Sequence, residues 1–217
     1  MQQTTDNRQQ TTGIWAIILA AGESKRMGSP KMLLPYEGAT IIEKVIENVL
    51  DSDVEKTVVV LGANRKEIME VIAKHPVMHC YNDNYEQGML SSVKCGFEFL
   101  PPDFRAAMVF LGDQPMAETS VMNLVMRAYH ESGKGIVIPV CKGKRGHPIL
   151  IDKKYRNEIL SLDEPDGLRG LLRRHPGDLL EAETDNQSIL KDIDTQEDYL
   201  CETNKTHQTW KRQSGSN

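Results

Sequence analysis

The run Ile14-Trp15-Ala16-Ile17-Ile18-Leu19 carries no charge and does not alternate, so a strand built from it has two apolar faces. Such a strand needs cover on both sides of its sheet. Comparable runs recur over 57–62, 77–81, 106–111, 135–140 and 147–151, separated by stretches with helical periodicity. The clearest helix starts at the capping box Thr40-Ile41-Ile42-Glu43 and carries Val45, Ile46 and Val49 on one face. Asn64 and Glu67 mark the next helix start, Ser91-Ser92 a third, residues 121–129 a fourth, and Asp194 or Thr195 caps the last. Strands alternating with helices predict a three-layer α/β fold, Rossmann-like, with a mixed, mostly parallel sheet. The mixed character comes from the last third. There, residues 179–183 and 189–193 read as a hairpin around Asp185-Asn186. One domain over 13–202 is expected, with disordered polar tails at 1–12 and 203–217.

The strand at 14–19 runs straight into Ala20-Ala21-Gly22-Glu23-Ser24-Lys25-Arg26-Met27-Gly28-Ser29-Pro30-Lys31. Small residues bring backbone amides close to any ligand, and three cations follow within a short span. This pattern reads as a triphosphate cradle, although neither a Walker A motif nor Gly-x-Gly-x-x-Gly is present. The competing reading is a solvated charged face. The net charge of −5 leaves no global attraction for nucleic acid or anionic membrane, so phosphate affinity must be local. No apolar run approaches the ~20 residues of a membrane span, and no secretory leader is evident, so a cytoplasmic location is expected.

Ligands of open α/β sheets sit beyond the carboxyl ends of the strands. Gly112-Asp113-Gln114-Pro115 follows a later strand, which sets Asp113 opposite the cationic loop if the two strands are neighbours. A carboxylate there points to Mg²⁺, which typically takes one or two carboxylates and completes its shell with phosphate oxygens and water. Asp192 and Asp194 lie near the end of the expected last strand, and helix capping competes with metal binding for Asp194. The six histidines show no zinc spacing, and the four cysteines (Cys80, Cys95, Cys141, Cys201) read as separate structural thiols.

Leu19-Ala-Ala-Gly-x-Ser-x-Arg-Met-Gly-x-Pro-Lys31 resembles the signature of nucleotidyltransferases with the glycosyltransferase-A-like fold. Together with Gly112–Pro115, Arg145-Gly-His-Pro148, Asp166-Gly-x-Arg169 and Asp192-Ile-Asp-Thr-x-Glu-Asp198, it is similar to the molybdenum cofactor cytidylyltransferases. These include the purine-catabolism accessory proteins that serve xanthine dehydrogenase. The resemblance implies nucleotidyl transfer from a nucleoside triphosphate to molybdopterin phosphate, with release of pyrophosphate and transient contact with a molybdoenzyme. It implies nucleotide binding by Leu19, Ala20, Ala21, Gly22, Arg26, Lys31, Gly88, Ser91 and Ser92, with Arg26, Lys31 and Asp113 catalytic. It implies Mg²⁺ on Asp113 and Asp194, with Asp192 as a further candidate, and acceptor binding by Arg145, Gly146, His147, Asp166 and Arg169. Ala21 favours CTP, because guanylyl-transferring relatives typically carry glycine there. Two other readings stay open: transfer to another small phosphorylated acceptor, and a non-catalytic carrier of the finished cofactor.

Overall fold

The computed structural model describes residues 13–25, 27–163 and 167–204. Arg26 and Asp166 therefore lie outside the described residues, as do 1–12 and 205–217. The sheet contains β1 (Ile14–Ala20), β4 (Lys56–Leu61), β5 (Met78–Tyr81), β6 (Ala106–Leu111), β7 (Ile136–Cys141), β8 (Lys144–Arg145), β9 (Ile149–Asp152) and β10 (Leu179–Glu183). A separate small ribbon pairs β2 (Pro35–Tyr36) with β3 (Ala39–Thr40). The spatial order is β10-β7-β9-β6-β1-β4-β5, with β8 pairing on β7. Apart from β8 and β9, the strands of this sheet are parallel.

β1 is central, and its side chains alternate between two cores. Ile14, Ala16, Ile18 and Ala20 face one, while Trp15, Ile17 and Leu19 face the other. The first core is covered by α1 (Ile41–Leu50), α2 (Arg65–Ile72) and α4 (Thr119–Ser132). The second is covered by α3 (Met89–Phe99), α5 (Arg156–Leu160) and α6 (Gly167–Arg174). Each fully buried Ile or Val side chain contributes roughly 1.5–3 kcal/mol, so these faces dominate the stability. Among the described residues, no helix is long and apolar enough to cross a membrane.

The capping box at Thr40 forms as read from the sequence: the Thr40 side chain accepts the Glu43 N–H, and Glu43 accepts the Thr40 N–H. Three local expectations fail. α2 starts directly after Asn64, as expected, but Asn64 does not cap it: it is left-handed (φ 54°) with no side-chain cap bond, because the chain turns tightly out of β4 there. α3 begins at Met89, two residues before the serines. No hairpin forms over 179–193. β10 pairs parallel to β7, Gln187–Leu190 is a 3-10 turn held by the Asn186 side chain accepting the Ser188 N–H, and Ile193 packs into a small cluster with Met27, Tyr36 and Ile41. The last helix runs over 196–204 among the described residues, two beyond the expected domain end. Its cap is Thr195, which accepts the Asp198 N–H and donates to that carboxylate.

α3 lies close on β1 at Gly96, where a Cβ would stand 2.5 Å from Ile17 Cγ2 and 3.3 Å from Val60 Cγ2. Gly96→Ala is expected to lower stability by about 1–3 kcal/mol despite the better helix propensity of alanine. Thermal denaturation checks this; an unchanged or raised Tm would show that the helix can lift without cost.

Candidate active site

β1 and β6 are adjacent and parallel, so the loops that follow them open at the same edge of the sheet. Gly112 N–H donates to Leu19 O and ties the two strand ends together. Past this edge lies a cavity of about 460 Å³, lined among others by Leu19, Ala21, Gly22, Lys31, Gly88, Ser92, Asp113, Asp192 and Asp194. The neighbouring strand β4 is followed directly by Gly62, where a Cβ would come within 2.8 Å of Ala21 and 2.7 Å of Tyr85. Glycine is what lets the loop after β1 and the loop at 82–88 converge on one cavity.

Lys31 opens a 3-10 turn (Lys31–Leu33), and its backbone N–H donates to Ser24 Oγ at 3.1 Å. Its side chain, 11 % exposed, points back to the strand ends. Nζ donates to Asp113 Oδ2 at 2.6 Å and to Asp194 Oδ1 at 2.9 Å. The two carboxylates are 17 % and 29 % exposed. Burial pushes the Lys31 ammonium down, but the two carboxylates outweigh it and hold the group above the ordinary lysine range. The segment at 192–194 is not a strand. Ile193 N–H donates to Asp113 O, which sets Asp194 beside the β6 turn. Asp192 also lines the cavity; burial, then the Asp194 charge, pushes its carboxyl up.

The second wall is braced from behind by Asn82, which is buried, follows β5 and lines the cavity behind the start of α3. Its Nδ2 donates to Ser91 Oγ at 2.8 Å and Ser92 Oγ at 2.9 Å, while its Oδ1 accepts the Asn84 N–H. Gly88, at φ 98°, starts α3 in a conformation that favours glycine. Ser92 faces the cavity. Ser91 donates to Gly88 O and lines a different cavity of about 660 Å³ behind the helix start. Asn82 was not singled out from the sequence. The available signal was a polar residue directly after a strand at this edge.

The remaining expected residues are distributed unevenly. Ala20 is the buried last residue of β1 and does not line the cavity. His147 precedes β9, which neighbours β6; its N–H donates to Ile189 O, and burial pushes its imidazole down to about 4 against the opposing Asp192 charge. It is therefore neutral at pH 7 rather than a cation for phosphate. Gly146 packs against Ile189. Arg145 pairs with Glu181 of β10 at 2.6 Å, and Arg169 is exposed on α6. None of these four lines the cavity of about 460 Å³.

The cavity is acidic. Among its described lining residues, five carboxylates (Glu23, Glu86, Asp113, Asp192, Asp194) face two lysines, and Lys25 pairs with Glu23 at 2.8 Å. Asp113 Oδ1 is buried without a hydrogen-bond partner. Among the described residues, no group of three or more His, Cys, Asp or Glu side chains is placed to hold a metal ion by itself. Two carboxylates with one open oxygen fit a hard divalent cation that draws its other ligands from water and substrate.

The chain matches the family described as the MobA-like NTP transferase domain over residues 16–179, and it belongs to that family. It is 32% identical to the molybdenum cofactor cytidylyltransferase of Escherichia coli (strain K12), over 87% of this chain and 95% of the relative. It is 31% identical to the nicotine blue oxidoreductase of Paenarthrobacter nicotinovorans, over 85% of this chain and 93% of the relative. Among solved structures, the homologue of Mycobacterium tuberculosis rv0371c from Mycobacterium sp. strain JC1 has the same fold, with a TM-score of 0.82 at 23% identity, covering 91% of this chain and 98% of that one.

Replacing Lys31 by Met removes the shared partner of two carboxylates. The expected loss is about 1–3 kcal/mol, with most of it recovered in Lys31→Met/Asp113→Asn, where one charge is gone. Denaturant unfolding of the three proteins measures both values; equal stability for all three would show that the contact carries no net weight.

Proposed function

We propose that the protein transfers a nucleotidyl group from a nucleoside triphosphate, CTP in preference to GTP, to the terminal phosphate of molybdenum cofactor, for maturation of a molybdoenzyme such as xanthine dehydrogenase. The observation that carries this reading is the meeting of Lys31, Asp113 and Asp194 at the end of β1, in a chain 32% identical to a molybdenum cofactor cytidylyltransferase. An acidic cavity repels a bare triphosphate, so the substrate enters with its charge compensated. Asp113 and Asp194 would hold the divalent cation, Mg²⁺ on the chemistry of the donors, and that cation supplies charge neutralisation on the phosphate oxygens.

The acceptor is a phosphate monoester, largely ionised at neutral pH, so no strong general base is needed. Its oxygen attacks the α-phosphorus. The bond from that phosphorus to the α,β-bridging oxygen breaks, and pyrophosphate leaves with the electron pair. The chain's task is alignment and electrostatic stabilisation. Backbone around Ala21 and Gly22 forms the floor of the cavity. Lys31, and Arg26 by its place in the motif, oppose charge developing on the leaving group. Gly88 and Ser92 bound the base and ribose side, with Asn82 fixing the serine hydroxyls. Arg145, Gly146, His147, Asp166 and Arg169 are assigned to the acceptor by their place in the motifs; Arg145 ends β8, and Gly146 and His147 lie between β8 and β9. The preference for CTP rests on Ala21, whose methyl group packs toward Gly62 and narrows the gap between the two loops.

Pyrophosphate release from four triphosphates, with Mg²⁺ and molybdenum cofactor beside sugar-phosphate acceptors, tests the reading. CTP with the pterin is expected to be fastest. Release with only another acceptor would reassign the substrate, and release with none would favour a carrier. Asp113→Ala and Arg26→Ala are each expected to lose on the order of 10²-fold or more in rate; wild-type turnover in Asp113→Ala would overturn the metal assignment. Ala21→Gly is expected to raise the rate with GTP relative to CTP, and an unchanged ratio would remove Ala21 from the account of base choice.

A further inference from the structure

Cys80 and Cys95 are 15 residues apart in sequence, yet their sulfurs stand 3.5 Å from each other. Cys80 is on β5, the edge strand of the sheet, and Cys95 is on α3, which packs over it. Neither thiol belongs to the fully buried core. Cys95 also forms part of the wall of the cavity of about 660 Å³ behind the start of α3, together with Ser91, Lys94 and Glu98. A small oxidant therefore reaches Cys95 from solvent, and Cys80 waits directly beneath it. The mutual hydrogen bond favours ionising one thiol of the pair. Cys95 is the one held below the usual thiol range, against Glu98 and Asp83, while Cys80 is pushed up.

We propose that Cys80 and Cys95 are a redox-active dithiol that closes to an intramolecular disulfide when a hydroperoxide enters the cavity. The Cys95 thiolate attacks the terminal peroxide oxygen, the O–O bond breaks, and hydroxide (from hydrogen peroxide) or alkoxide (from an organic hydroperoxide) leaves, giving a sulfenic acid at Cys95. The Cys80 sulfur then attacks Cys95 Sγ; the S–OH bond breaks and water leaves with the thiol proton. Two thiols are oxidised by two electrons, and one hydroperoxide is reduced. The sulfurs close from 3.5 Å to about 2.05 Å. The ring so formed contains Asn82, Tyr85, Glu86, Gly88, Met89 and Ser92, five of which line the proposed nucleotide site while Asn82 pins its serines. The cross-link thereby fixes one wall of that site to the sheet edge. This consequence rests on the proposed function, whereas the chemistry at the two sulfurs does not.

The test uses the full chain with Cys201→Ser, which removes the exposed thiol, treated with hydrogen peroxide and then alkylated. The expected product is a monomer 2 Da lighter before alkylation and lacking two alkyl groups after it, with Cys80 and Cys95 peptides linked, both thiols regained on reduction, and a Tm raised by on the order of 5 °C. In Cys80→Ser/Cys201→Ser, the sulfenic acid is expected to persist at Cys95 and to be trapped by dimedone. Folding of both variants is checked by circular dichroism. Oxidation confined to Cys141, disulfide-linked dimers, or full alkylation of Cys80 and Cys95 after peroxide would each overturn the proposal. Because the readout is mass and thiol content, its failure is separate from any failure of nucleotidyl transfer.

Discussion

The arrangement depends on β1 being apolar on both faces. Three of its side chains enter one core and four enter the other, so the strand can sit only in the middle of a covered sheet. Its neighbours β4 and β6 run parallel to it, and their ends define the edge where the cavity opens. The loop after β1 starts from that burial and is then held by contacts of its own: Ala63 N–H donates to Ala21 O, Lys31 N–H donates to Ser24 Oγ, and Met27 packs with Tyr36, Ile41 and Ile193. Its glycines and small residues decide only how closely it approaches Gly62 and Gly112.

On this frame the electrostatics are concentrated at one point. Lys31 brings together carboxylates from two other parts of the chain, one in the β6 turn and one in the segment before the last helix. An ion pair of this kind, partly removed from water, is favourable only when geometry and hydrogen bonding are good, and both contacts are short. The open oxygen of Asp113 and the excess of carboxylates in the lining leave the site short of positive charge. That shortage, more than any single residue, sets the electrostatic character of the cavity.

Much of this was legible in the sequence because it rests on local signals. The run at 14–19, the Thr40 box and the position of Asp113 after a strand each follow from periodicity or turn chemistry. What stayed hidden depends on tertiary placement. Asn64 has a capping residue's identity, but the turn out of β4 gives it the wrong dihedrals. Residues 189–193 have the look of a strand, but their apolar side chains pack under loops instead of pairing. Ser91 and Ser92 are indistinguishable in sequence, yet one faces the cavity and the other lies behind it, because α3 starts at Met89. The meeting of Cys80 with Cys95 and the bonds from Asn82 require knowing that α3 folds back over β5.

The reach of the Lys31–Asp194 contact has a consequence for how the protein becomes competent. The lysine is made early, and its second carboxylate is added 163 residues later. During synthesis the amino-terminal strands and helices can collapse while this segment is still missing. The cavity then exists as an unfinished pocket with only one of its two bridging acids. Completion of the cavity wall is one of the last events in the life of the nascent chain, because Asp192 and Asp194 are made only after every strand of the sheet.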